Sequence, residues 1–143
     1  MNRSLARIGL LLLLTGSGQP AALGAESRTQ AITPEQLHER QQTSGKLLVV
    51  DVRDPAEFRV GHVPGAVNLP APEIADHYQE LEGQTGVVVY CIAGTRTQLA
   101  EQTLIEHRVP NVFHLDGGLG AWLDSGYPVE KGGGLRLENA GGK

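Results

Sequence analysis

The chain has little of what several function classes need. It carries one cysteine, Cys91, in 143 residues. An intramolecular disulfide, a CxxC redox pair and a cysteine-cluster zinc site are therefore excluded. Phe, Trp and Tyr together make up 4% of the residues, too few for a stacked platform that binds single-stranded nucleic acid. Positive charge is not in excess: 12 basic residues stand against 16 acidic ones, a formal net charge of −4, and a basic nucleic-acid footprint is disfavoured. The apolar run Ile8 to Leu14 falls far short of the about 20 residues a membrane span requires. What is present, 40% apolar and 20% charged residues, suits one globular domain with a core rather than a disordered polymer.

The N-terminus reads as a targeting signal over residues 1–25. Arg3 and Arg7 form a positive n-region, Ile8 to Leu14 the apolar stretch, and Ala22, Gly24 and Ala25 a small-residue cleavage site. Cleavage is expected after Ala25, with Gly24 as the alternative. No cysteine lies near the cut, so no lipid anchor is expected after cleavage. The mature chain would hold 118 residues with 10 basic and 16 acidic side chains. Export implies the periplasm, and a lone thiol in an oxidising compartment is either buried and inert or kept for its chemistry.

Residues 26–32 read as a loose polar leader. Thr33-Pro34-Glu35-Gln36 then announces a helix, with Thr33 as N-cap, Pro34 at the first position and Gln36 closing a capping box. Leu47 to Val52 is a continuous apolar run, the pattern of a strand buried on both faces. Asp54-Pro55-Ala56-Glu57 repeats the capping signal for one short helical turn. A brief strand is expected at Ala66 to Leu69, a helix from Pro72 to Leu81 and a second buried strand at Val87 to Tyr90. Thr97 to His107 reads as a helix with Leu99, Ala100, Thr103 and Leu104 on one face. Asn111 to Leu115 reads as another strand. Asp116-Gly117-Gly118 then turns into a short helix carrying Leu119 and Trp122, with Asp116 as its cap. The domain is expected over residues 33–129 and a disordered Gly-rich tail over 130–143. Strands alternating with helices argue for a parallel sheet covered on both faces, with the site beyond the carboxyl ends of the strands.

Cys91 follows such a strand end and opens the stretch Cys91-Ile92-Ala93-Gly94-Thr95-Arg96 before a helix. Successive backbone N–H groups in a short glycine-containing loop converge on an anion, and the helix N-terminus adds its own unsatisfied N–H groups. Both favour a thiolate, which a free cysteine with a pKa of about 8.5 forms only slightly at neutral pH. Gly94 permits a positive φ, and Arg96 supplies a permanent charge for an anionic substrate. The competing reading, a core cysteine, leaves the glycine and arginine at these offsets without a packing role.

The stretch Cys91 to Arg96 resembles the CxxGxR active-site loop of the rhodanese-like sulfurtransferases. Three further segments resemble that family: Asp51-Val52-Arg53 with Glu57-Phe58, Gly61-His62-Val63-Pro64-Gly65-Ala66-Val67-Asn68, and Asp116-Gly117-Gly118 with Trp122. The resemblance runs from Thr33 to Val129. It implies an α/β rhodanese-like single domain, with a central parallel five-stranded sheet and helices on both faces. It also implies Cys91 as the catalytic nucleophile, with Ile92, Ala93, Gly94, Thr95, Arg96 and Thr97 binding substrate. The six-residue span from Cys91 to Arg96 is that of relatives acting on sulfur. Phosphatase and arsenate-reductase relatives have one residue more, and a lone cysteine leaves a reductase no resolving thiol. The implied activity moves a sulfane sulfur from a donor such as thiosulfate, through a Cys91 persulfide, to a thiophilic acceptor. It needs no metal or organic cofactor. A carrier module delivering or sensing sulfur for a partner protein would use the same persulfide.

Other residues have blander readings. His62 suits a structural hydrogen bond better than a general base, and His38, His77, His107 and His114 share no metal-ligand spacing. Arg53 is expected to pair with Glu57 or Asp54, and Trp122 to plug the core. The targeting signal generates a first prediction: protein recovered from a periplasmic extract begins at or near Glu26 by N-terminal sequencing. Full-length chain confined to the cytosol would overturn the assignment.

Overall fold

The computed structural model describes residues 29–43, 47–134 and Leu137. The expected signal, residues 1–25, lies outside them. Two apolar runs make the centre of the sheet. Leu48–Asp51 (β2) and Val87–Tyr90 (β4) are buried along their whole length, as parallel strands covered on both faces must be. They pair in parallel, with Asp51 opposite Tyr90. Val67–Asn68 (β3) flanks β2, and Val112–Leu115 (β5) flanks β4.

The fifth strand falls inside the expected leader. Gln30–Ile32 (β1) pairs in parallel with β5, Ile32 opposite Leu115, and completes the order β1-β5-β4-β2-β3. Only Ile32 of the three residues is buried, so this edge strand shows neither an apolar run nor an alternation.

Side-chain alternation along the strands divides the core in two. Val87, Val89 and Cys91 face Val50, Val67, Ala100 and Leu104, while Val88 and Tyr90 face Phe58, Leu119 and Trp122. Period two therefore sends Cys91 to the face covered by helices Ile74–Glu82 (α3) and Thr95–Glu106 (α4). A 3-10 turn over Ala71–Glu73 precedes α3. Three residues of α4 are buried, Thr97, Ala100 and Leu104. Leu99, expected on that face, is rotated one residue away from Ala100 and is 50% exposed.

The opposite face carries Pro34–Gln42 (α1), Pro55–Val60 (α2) and Gly118–Asp124 (α5). The capping box of α1 is present: Gln36 N–H donates to Thr33 Oγ1 at 3.2 Å, and Thr33 N–H to Gln36 Oε1 at 3.0 Å. Asp54 occupies the N-cap of α2 without a capping bond, its carboxylate lying 3.8 Å from Arg96 Nη1. The N-cap of α5 is Gly117 at φ 69°, not Asp116, whose side chain makes no capping bond. Trp122 is fully buried and donates from Nε1 to Pro128 O at 2.8 Å.

The packed body also outlasts its expected end at Val129. Glu130 and His62 exchange backbone bonds of 2.9 Å, and Gly132 N–H reaches Arg59 O at 2.9 Å. At Gly134 a Cβ would meet Phe58 Cζ at 2.5 Å, so glycine here permits a close approach. The glycines that suggest a loose tail from residue 130 instead let this stretch lie against α2.

Arg53 pairs with neither Glu57 nor Asp54. Its Nη2 donates to Asp51 Oδ2 at 2.6 Å and to Gly61 O at 2.7 Å, and its Nε to Asp51 Oδ1 at 2.9 Å. Both side chains are buried. The Tyr90 hydroxyl accepts from Val63 N–H at 3.0 Å, and burial beside the Asp51 carboxylate pushes its pKa up. Breaking a buried pair strands a charge. Arg53→Met is therefore expected to cost about 3–5 kcal/mol in urea unfolding, and Asp51→Asn in that background to recover part of it. A cost below about 1 kcal/mol would show that the pair is solvated.

Candidate active site

The Cys91 loop leaves the carboxyl end of β4, and α2 follows the carboxyl end of β2 beside it. β2 leads outward to β3 while β4 leads the other way to β5, so chain order reverses between these two strands. The crevice at such a reversal is where open α/β sheets place their ligands.

Cys91 is 1% exposed at the floor of this crevice. Gly94 N–H donates to its Sγ at 3.0 Å. Burial pushes the thiol pKa up, but the Thr97 hydroxyl and the N–H groups of Thr97, Gly94 and Ala93 lie close enough to favour the thiolate, and together they hold it below the ordinary value. Gly94, at φ 111°, serves as N-cap of α4 and lets the chain double back over the sulfur. Thr97, expected to touch substrate, is buried beside the Cys91 sulfur and favours its thiolate. The Ile92, Ala93 and Thr95 side chains are exposed around the loop.

The loop is held from the other side by α5. Leu119 N–H donates to Cys91 O at 2.8 Å and Gly120 N–H to Ile92 O at 3.2 Å. In a trans peptide the C=O and the next N–H point in opposite directions. Drawing the Ile92 carbonyl toward α5 therefore turns the Ala93 N–H away from it, toward the sulfur. The approach is close: a Cβ on Gly118 would lie 2.5 Å from Cys91 O and 2.8 Å from Ile92 O. Gly118 also has φ 60°. The Gly117-Gly118 turn thus positions the Cys91 loop, a role that its spacing in the chain does not disclose.

Arg96 is not free. Nη1 bonds Glu57 Oε2, and Nη2 bonds Glu57 Oε1 at 3.0 Å, a two-point contact between α4 and α2. The guanidinium holds the Glu57 carboxyl down at about 2, ionised throughout the neutral range. Glu57 was expected to serve Arg53; the 39-residue separation from Arg96 hides its true partner.

The histidines lie elsewhere. His62 is buried, bonds Phe58 O through Nδ1 at 2.8 Å and stacks on the Phe58 ring at 3.7 Å. His38 stacks on Tyr127, His77 pairs with Glu80, His107 caps α4 and stacks on Tyr78, and His114 bonds Glu101. A cavity of about 480 Å³ beside α2 and α3 is bordered by none of residues 91–97.

Gly118→Ala tests the hold on the loop. With Cβ in collision with two carbonyls, the loop must move. A shift of about 1 Å can cost on the order of a hundredfold in rate. Alkylation of Cys91 at neutral pH, followed by intact mass, should slow strongly in the folded variant. Unchanged reactivity would show that α5 does not set the cradle.

Residues 33–125 match the family model of the Rhodanese-like domain. An HTH-type transcriptional regulator of Mycobacterium tuberculosis is 36% identical over 107 residues, covering 74% of this chain and 47% of the regulator. The chain therefore spans about half the length of that curated relative. A solved thiosulfate sulfurtransferase from Pseudomonas aeruginosa superposes with a TM-score of 0.64 at 27% identity, over 79% of this chain and 21% of that one. A protein of unknown function and possible tyrosine phosphatase from Rhodopseudomonas palustris superposes with a TM-score of 0.61 at 28% identity, over 71% of this chain and 85% of that one. On the family match over most of its length, and with the all-parallel five-stranded sheet, this chain belongs to the rhodanese-like domain family.

Proposed function

We propose that the protein is an exported sulfurtransferase that works through a persulfide on Cys91. The observation that carries this reading is a buried sulfur at the head of α4, with the Gly94 N–H donating to Cys91 Sγ at 3.0 Å and the surrounding loop lowering the thiol pKa. The Cys91 thiolate attacks the outer sulfur of a donor such as thiosulfate. A bond forms between Sγ and that sulfur, the donor's S–S bond breaks, and sulfite leaves with the electron pair. The donors that held the thiolate face the resulting persulfide. A thiophilic acceptor then attacks the outer sulfur, and Cys91 leaves as thiolate. This is covalent catalysis in two displacements, with ping-pong kinetics. The transfer needs no acid–base residue once the thiolate exists, in keeping with His62 being engaged by Phe58.

A second reading rests on the 36% identity to a transcriptional regulator. There the same persulfide reports sulfur to a partner protein, with little turnover. A phosphatase reading, prompted by the Rhodopseudomonas relative, is weaker because the loop from Cys91 to Arg96 is the short form.

The deciding experiment is intact mass without reductant. Millimolar thiosulfate should add one sulfur atom to the wild type and nothing to Cys91→Ser; equal gain in both would put the sulfur elsewhere. Steady-state turnover with cyanide separates enzyme from carrier, and hydrolysis of an aryl phosphate would favour the phosphatase. The pH dependence follows from the lowered thiol pKa. Alkylation should rise with pH and level off at a pH below the about 8.5 of free cysteine. Thr97→Val, which removes a donor to the thiolate, should move that inflection up.

A further inference from the structure

The cations and carboxylates around the crevice bear on which sulfur compounds can use it. Three segments meet at the Cys91 loop: residues 54–57, 91–97 and 116–120. Arg96 is their one cation, set against Asp54, Glu57 and Asp116. Nη1 and Nη2 of its guanidinium both bond the Glu57 carboxylate, which occupies the edge between them and offsets the charge. The Asp54 carboxylate lies 3.8 Å from the same Nη1. The Gly94 N–H is likewise engaged, by the sulfur of Cys91 at 3.0 Å. An incoming anion thus meets the Glu57 and Asp54 carboxylates beside a cation that Glu57 already pairs. Apolar side chains stand at the same place: Ile92 is 44% exposed in the loop, and Leu99, one turn beyond Arg96, is 50% exposed.

Resting on the sulfur-transfer reading, we infer that Cys91 works with sulfur compounds that bear no negative charge beside the reacting sulfur, such as neutral or cationic thiols and their persulfides. Free dianions such as thiosulfate are poor partners. In the return step an acceptor thiolate RS⁻ attacks the outer sulfur of Cys91–S–SH. An S–S bond forms to the acceptor, the bond to Sγ breaks, and RS–SH and the Cys91 thiolate result. Charge and atoms balance without an oxidant. A carboxylate on R would enter against Glu57 and Asp54, whereas an ammonium or a plain alkyl group would not.

The test uses charge probes that need only the thiolate. Neutral iodoacetamide and anionic iodoacetate alkylate Cys91 of the full protein, and the ratio of their rate constants is compared with that for free cysteine. Each negative charge near these carboxylates is expected to slow reaction on the order of tenfold at low salt. The amide-to-acetate ratio at Cys91 should exceed that of free cysteine by this factor. It should collapse toward the free value in about 1 M salt, where the screening length is about 3 Å. Glu57→Gln, checked for an unchanged melting temperature, should bring the ratio down at low salt as Arg96 becomes available. A persulfide preloaded on Cys91 should pass to 2-mercaptoethanol faster than to mercaptoacetate at equal thiolate concentration. A wild-type ratio at or below that of free cysteine in low salt would overturn the inference. The alkylation result stands whether or not sulfur is loaded; failure to load from a neutral persulfide donor as well as from thiosulfate counts against the sulfur-transfer reading, whereas loading from the neutral donor but only weakly from thiosulfate is what the inference expects.

Discussion

Two hydrogen bonds from the first turn of α5, to the carbonyls of Cys91 and Ile92, fix the part of the molecule on which its chemistry depends. They select one orientation of the peptide units that follow the nucleophile. With that orientation set, N–H groups meet at the sulfur and α4 starts beside it. The contact is possible because Gly118 presents no Cβ at a distance where one would collide with both carbonyls. A pair of adjacent glycines after β5 thus acts on a thiol that lies more than twenty residues earlier in the chain. The sheet makes the link, since β5 and β4 are neighbours and end together.

Behind the loop stands a second layer of polar structure. Asp51, Arg53 and Tyr90 lie at the ends of β2 and β4, Arg53 bonded to Asp51 and to the backbone of Gly61, and Tyr90 to the backbone of Val63. Asn68 adds bonds to the carbonyls of Asp51 and Arg53 at 3.0 and 2.8 Å. The crevice floor is therefore braced by charge and hydrogen bonds as well as by packing. Directional contacts fix relative positions in a way that interchangeable valines cannot.

The buried strands and the Cys91 loop were legible because their signals are local. LVVD and VVVY are apolar in every position but one, and Cys91 to Arg96 is contiguous in the chain. Features decided by tertiary contact were not. Gln30–Ile32 is a strand only because β5 offers an edge. Asp54 sits at a helix start but lies close to Arg96 rather than capping α2. Arg53 finds Asp51 two residues before it because the chain bends there, and Glu57 finds Arg96 across the crevice. Charged side chains have several partners within reach of any sequence rule, and only the fold chooses among them.

Apart from the contact of Arg96 with Glu57, every hold on the loop described above grips its backbone or the Cys91 sulfur. The side chains of Ile92 and Ala93 point outward and support nothing. The domain is built like a socket: the contact that does the work is fixed deep inside, while the collar around it is interchangeable. Replacing those two side chains alters the rim of the crevice and leaves the Cys91 sulfur where it was, because the bonds that place it are made by backbone groups.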